Sequence, residues 1–380
     1  MKRHLPLLLG LALLAGCASS SLPPAGNGFA PEEDEKRLWL IAEKEEKSLD
    51  SSGLIYRNVA LEGYLDSVVR KLATPEMLTA LPIRISVIRN PYLNAFTFPN
   101  GRIYIHEGML VQMENEAQLA TIIAHEMSHA TGRHVVRELR NTKSKTAFFA
   151  TLSSLTGNVL LPIGQLAALS AIQGYSRDME TEADTEGLRR LVAAGYDPAE
   201  APKIFTIMQK EALDEKIPEP FFFGSHPRLQ ERLDNYVTLL QTDYYGKAGG
   251  TTNTAVYLRM ISPLFLDTAG LNLKRGRFEA ARQAIEKFLT VRGDDAGAYY
   301  LLGETWRQSG GKEGASKARE FYLKAAALDP AYPDPHRAVG LIAYKMKEWE
   351  IARTSFERYL SLAPKAADRG YIEEMIKNLR

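Results

Sequence analysis

His125-Glu126-Met127-Ser128-His129 sets two imidazoles four residues apart, with a carboxylate beside the first. On a helix such residues lie about 40° from eclipsed, so both rings can reach one ion. Zinc takes nitrogen ligands and keeps an open position for water. It lowers the pKa of that water towards about 7, and Glu126 sits where it can take the proton. The chemistry predicted is metal-assisted hydrolysis. Leu119, Ile122, Ile123 and Ala124 precede the pattern and make this a buried helix, which suits a rigid site.

A third ligand is required. His129-Ala130-Thr131-Gly132-Arg133-His134 nearly imitates the metzincin extension, in which the third histidine lies three past the glycine; that position is Val135 here. On a continuing helix His134 lies about 140° around from His129, so it is expected to point away as a surface or core histidine. Glu180-Thr181-Glu182-Ala183-Asp184, after Tyr175-Ser176-Arg177, is the better source. Glu180 and Asp184 share a helical face. A carboxylate from this second helix would complete a two-His, one-Glu site, and Asp184 can hold a ligand imidazole from behind. On chemistry alone Glu182 and Glu186 compete with Glu180, and a solvated acidic helix start fits the same residues.

These residues need elements to hold them. Helical patterns cover Glu32 to Leu49 and Leu54 to Leu72. Pro82 to Ile88 alternates Ile83, Ile85 and Val87 as a strand does. Ala95 to Phe98 and Arg102 to Ile105 flank Pro99-Asn100-Gly101, a hairpin signal. Glu116 to Arg137 reads as the metal helix, Glu180 to Ala194 as a helix stopped by Gly195 and Pro198, and Pro227 to Leu240 as another. Thr146 to Ser176 holds no charged residue; Gly157-Asn158 and Pro162 break it into arms too short to span a bilayer. It is expected to form a helical hairpin over the site or against a membrane surface.

Beyond the Gly- and Thr-rich stretch Thr242 to Thr254, glycines recur at 270, 303 and 340 and alanines at 281, 318 and 352, with Asp329-Pro330 and Ala363-Pro364 closing successive units 34 apart. This resembles the tetratricopeptide repeat, whose stacked units commonly bind peptides or proteins.

At the start, Lys2 and Arg3 precede an apolar run from Leu5 to Ala15, and Leu14-Ala15-Gly16-Cys17 looks like a bacterial lipobox. Cys17, the single cysteine, would carry the lipid; without Asp at position 18, the outer membrane is the expected address. The 380 residues, 47 basic and 46 acidic, allow two domains with separate cores and give no basic excess for nucleic acid. The expected class is α+β, mainly α. A signal peptide (1–16) and tether (17–31) precede a zincin-like metallopeptidase domain with a small sheet (32–241). A linker (242–256) and an α-solenoid of tetratricopeptide repeats (257–380) follow.

His125-Glu126-x-x-His129, with Ser176-Arg177-x-x-Glu180-x-x-Ala183-Asp184, resembles the HtpX and CAAX-prenyl-protease type of zinc peptidase. The resemblance runs from about Leu61 to Val237. It takes in Asn94-Ala95-Phe96, Gly108-Met109-Leu110, and His226-Pro227 followed by Arg232. It implies one zinc ion per chain with Glu180 as its third ligand. It also implies His226 and Arg232 at the active site, assisting the transition state or occluding the metal. With the repeats and the exported start, the chain is most similar to periplasmic members that perform quality control at the outer membrane. Those members carry no lipid, so a lipid-anchored chain would be a tethered relative with different clients.

The expected activity is hydrolysis of peptide bonds in misfolded or misassembled envelope proteins, with Glu126 as base and then acid. His226 or Arg232 would stabilise the oxyanion. Asn94 and the strand carrying Arg102 and Tyr104 would pair with an extended substrate. Partners would be polypeptide substrates, the outer-membrane assembly machinery or its clients through the repeats, and the membrane through Cys17. The alternative is a repeat scaffold for outer-membrane assembly whose peptidase site is mostly latent.

Overall fold

The computed structural model describes residues 22–141, 175–214, 226, 228–247, 249–311 and 313–379. Cys17 and nearly all of Thr146 to Ser176 lie outside them, and with them the lipid anchor and the helical hairpin.

Helix α1 (Glu33–Ser51) buries Glu35, Leu38, Ala42, Glu45 and Leu49, an alternating three- and four-residue spacing that makes one inward stripe. Strand β1 (Ile55–Tyr56) follows, then α2 (Val59–Leu72), α3 (Pro75–Ala80), β2 (Arg84–Ile88), β3 (Ala95–Thr97) and β4 (Arg102–His106). The single helix expected over Leu54 to Leu72 is therefore a strand and a helix. Ile55 and Tyr56 pair with Ile88 and Val87, and Asn58 accepts the Leu61 N–H to start α2 afresh. The sheet order is β1-β2-β4-β3, with β2 and β4 parallel and the outer pairs antiparallel. Gly101, at φ +84°, makes the turn between β3 and β4 that the Pro99-Asn100-Gly101 signal predicts.

Side chains alternate across this sheet. Ile83, Ile85, Val87, Ala95, Ile103 and Ile105 join the core shared with α2, while Ile88, Phe96, Phe98 and Tyr104 face α1. Each fully buried large apolar side chain contributes about 1.5–3 kcal/mol, so the sheet is clamped firmly on both faces.

Helix α4 (Glu107–Gln112) leads into α5 (Glu116–Thr131), started by Asn115, whose side chain accepts the Gln118 N–H. Every residue of α5 is buried. The expected helix to Arg137 is broken: α5 stops at Thr131, Arg133 sits at φ +56°, and α6 (His134–Asn141) sets off anew. A left-handed non-glycine residue costs on the order of 1 kcal/mol or more and persists only where neighbours over-determine it. Here Glu35 grips the Arg133 guanidinium through both oxygens and Phe29 lies under it. Residues 22–31, expected to be part of an open tether, pack here too. Ala25 is buried and donates its N–H to the Thr131 carbonyl at 2.7 Å.

Then come α7 (Arg177–Ala193), a 3₁₀ turn (Pro198–Glu200), α8 (Ala201–Asp214) and α9 (Leu229–Gln241). Helices α10 (Thr254–Lys274), α11 (Phe278–Arg292), α12 (Ala296–Ser309), α13 (Gly314–Leu328), α14 (Pro333–Lys345), α15 (Trp349–Leu362) and α16 (Arg369–Lys377) pack each on the next as a tandem of hairpins. The recurring alanines at 281, 318 and 352 are fully buried. A Cβ on Gly303 would meet the Tyr322 ring, and one on Gly340 the Phe356 ring, the same close approach in successive units.

The first helices of the array share the core of the preceding elements, while its last units close over apolar clusters of their own. Tyr257, Ile261, Leu264 and Phe265 of α10 join the apolar cluster that holds α2 and α5. Glu116, at the start of α5, accepts from Tyr64, Lys71, Tyr196 and Asn253, and its N–H donates to the Thr252 carbonyl. Among the described residues no helix is long and apolar enough to cross a membrane.

Candidate metal centre

Helix α5 presents His125 and His129 from one face, and α7 lies along it. Gly187 makes that approach possible: a Cβ there would stand 3.2 Å from the His125 backbone nitrogen. Ser176 starts α7 by accepting the Met179 N–H, which brings Glu180 into its first turn facing the histidines.

Four donors converge. His125, His129, Glu180 and His226 are all buried and offer ligand atoms within 4.8 Å of one another. His129 Nε2 lies 2.9 Å from His125 Nε2 and 3.5 Å from Glu180 Oε1. His226 Nδ1 lies 3.2 Å from His125 Nε2 and 3.0 Å from Glu180 Oε1. Zinc bonds of about 2.0–2.1 Å place tetrahedral ligands roughly 3.3 Å apart, so these edges fit that ion. Three imidazole nitrogens and a carboxylate aimed at one point make a donor set suited to a cation.

Electrostatics agree. Burial pushes His125 down to about 4 and His129 and His226 well below the ordinary imidazole range, so all three are neutral and can ligate. Burial raises Glu180 to about 7, against the pull of Arg232. Glu126 is driven well up by burial and by the Glu180 charge. Neither Glu126 oxygen accepts a hydrogen bond among the described residues; its Oε1 lies 3.4 Å from His226 Nε2. A buried carboxylate left without donors points to an absent partner.

Behind the donors, Asp184 Oδ1 lies 2.9 Å from His125 Nδ1. Burial works against the Asp184 charge, but Arg232 outweighs it and holds this carboxyl well below the usual carboxylate range. Arg232 grips both Asp184 oxygens at 2.6 and 3.0 Å, reaches Glu180 Oε2 at 3.3 Å and stacks over Phe205. Helix α9, which carries it, starts at Leu229, after Arg228 in a left-handed turn; Pro227 lies outside the described residues.

Residues 60–239 match the profile of peptidase family M48. This stretch, just under half of the chain, is similar to the M48 peptidase domain. A Vibrio cholerae protein provisionally called a beta-barrel assembly-enhancing protease is 30% identical over 191 residues, spanning 47% of this chain and 39% of that protein. The beta-barrel assembly-enhancing protease of Escherichia coli K12 is 26% identical over 198 residues, 49% of this chain and 40% of that one. The mitochondrial metalloendopeptidase OMA1 of Arabidopsis thaliana is 32% identical over 165 residues, 42% and 32% respectively. The chain thus spans less than half the length of each of these relatives. M48 peptidases use zinc, and the donor set fits it.

Within the matched stretch, two sequence expectations need correction. The strand expected to receive substrate, with Arg102 and Tyr104, is interior: β4 is flanked by β2 and β3. Arg102 instead pairs with Glu46 at 3.0 Å, and Tyr104 is buried against Phe96 and Phe98. Asn94 is also buried, and its carbonyl accepts the His106 N–H of β4. The sheet edge beside the metal helix is β3. His134 is not turned away either. The break at Arg133 swings its ring back, so that its Nδ1 lies 2.8 Å from His129 Nδ1. Glu182, weighed as a ligand, pairs with Arg137 and His134, and Glu186 pairs with Arg189. Sequence reasoning missed Tyr175, whose ring stacks on His129 with centroids 3.8 Å apart, and Gly187.

Proposed function

We propose that the chain is a zinc-dependent endopeptidase that hydrolyses peptide bonds in misfolded or misassembled cell-envelope proteins. The observation that carries this is the convergence of His125, His129 and Glu180 beside Glu126, a buried carboxylate without a hydrogen-bond donor among the described residues. Zinc, when bound, supplies a Lewis acid and makes a water acidic near neutral pH. Glu126 takes the proton from the attacking water and returns it to the departing amide nitrogen. Asp184 fixes His125, and Arg232 fixes Asp184 and Glu180; Arg232 acts through these groups and not on the substrate oxygen. His226 has two roles open to it: in the cluster it occupies a fourth donor position, and displaced it can steady the oxyanion. Among the described residues β3 pairs with β4 alone, so this edge strand suits an extended substrate backbone.

The envelope setting draws on relatives called beta-barrel assembly-enhancing proteases and on the repeat array as a surface for clients. It also draws on the Cys17 signal for an outer-membrane anchor facing the periplasm. Incubating the purified chain with unfolded casein tests the activity. New amino termini should form with zinc and vanish with a chelator; cleavage that ignores both contradicts the proposal. The fourth donor, His226, favours a second reading in which the site is mostly latent and the repeats act as a scaffold. Rescue of a strain lacking the gene by the Glu126→Gln chain supports the scaffold, and failure supports the peptidase.

A further inference from the structure

We infer that His134, backed by the Glu182 carboxylate, acts as a relay that fixes the tautomer and ring plane of His129, making His134 a positioning residue for the metal centre. The inference rests on reading His125, His129 and Glu180 as metal ligands. His129 turns Nε2 into the donor cluster, so its lone pair must be there and its proton on Nδ1. The acceptor facing that proton is His134 Nδ1, at 2.8 Å. His134 accepts at Nδ1 only if its own proton is on Nε2, and Glu182 Oε2 lies 3.5 Å from that nitrogen. Arg137 holds the same carboxylate oxygen at 2.8 Å. His129 thus faces an acceptor in His134, and His134 Nε2 in turn faces a carboxylate at 3.5 Å, an ion-pair distance without a hydrogen bond.

The surroundings are shaped for it. His134 is fully buried, an unusual place for an imidazole without a task. A Cβ at Gly132 would stand 2.5 Å from His134 Nε2, so glycine clears space for the ring. The left-handed Arg133 turns the chain back at that point. Tyr175 stacks on the far side of His129 and meets His134 edge-on, confining both planes. The two ligand histidines are thus held by different devices: His125 directly by Asp184, His129 through a second imidazole. Groups that orient a metal-bound histidine typically change metal affinity about 10–100-fold when removed.

The test is zinc affinity of the full chain, by competition with a chromophoric chelator, alongside the visible spectrum of the cobalt-substituted protein. His134→Phe keeps the ring and loses both nitrogens. It should weaken zinc about 10–100-fold and alter the cobalt spectrum, while metal-free melting stays near that of the unaltered chain. His134→Asn, whose Oδ1 can replace Nδ1 as acceptor, should recover most of the affinity. Unchanged affinity in folded His134→Phe overturns the relay, as does His134→Asn performing no better than Phe. If the Phe variant does not fold, Glu182→Leu carries the test: about tenfold weaker zinc is expected, and unchanged affinity overturns the relay. An unaltered chain that takes up no zinc overturns the metal-centre reading itself, and the relay with it.

Discussion

His226 Nδ1 lies 3.0 Å from Glu180 Oε1, which brings a residue 46 positions later in the chain into the same cluster as the metal-helix histidines. On the reading proposed above, its ring would take the place that a substrate carbonyl or water needs. We predict that His226→Ala keeps zinc and raises basal cleavage of an unfolded substrate, on the order of tenfold if the open state is a minor one. Initial rates at saturating zinc check this; a fall in rate would instead assign His226 to oxyanion stabilisation.

Asp184 and Arg232 form a buried pair, and removing one partner of such a pair leaves the other charge uncompensated. Asp184→Asn should cost about 3–5 kcal/mol of stability. It should also weaken zinc about 10–100-fold through His125. Denaturant titration and metal competition measure the two effects separately.

Gly187 sets the distance between the metal helix and the helix that carries Glu180. The Cβ of Gly187→Ala would press on the His125 backbone, which cannot yield like a side chain. The expected cost is about 1–3 kcal/mol, with weaker zinc binding. A melting temperature and zinc affinity equal to those of the unaltered chain would contradict this placement.

The two metal-helix histidines were legible because they sit four apart on one helix, whereas spacing left Glu182 and Glu186 beside Glu180, and only the family resemblance pointed to Glu180 and His226. What sequence could not give is what non-local contacts decide. His134 was misplaced because Arg133 takes a left-handed conformation that only Glu35 and Phe29, from a distant segment, make tenable. The substrate strand was misassigned because β4 gains its second neighbour from β2, a parallel partner that no hairpin signal announces. Ile55–Tyr56 is too short a strand to interrupt a helical period. Residues 22–31 have a tether's composition, yet their backbone finds the last carbonyls of α5.

Glu107, at the start of α4, is fully buried, and burial, with Asp267 of α10 beside it, raises its carboxyl to about 8. The folded state therefore binds a proton that the unfolded chain releases near 4.5. Stability from this site is fully present below pH 4.5 and is lost as pH rises through about 8. Glu107→Gln should flatten that dependence and raise the melting temperature at pH 8.5 relative to the unaltered chain. Melting curves from pH 5 to 9 check it.

The role proposed for Glu126 is chemistry at a zinc centre that it does not build. Glu126→Gln is nearly isosteric and leaves every donor in place. The decisive measurement is zinc content together with the rate of new amino-terminus formation from an unfolded protein substrate. One zinc per chain and a rate lowered about 10²–10⁴-fold are expected. Cleavage within a factor of about two of the unaltered chain, with zinc retained, would contradict that role.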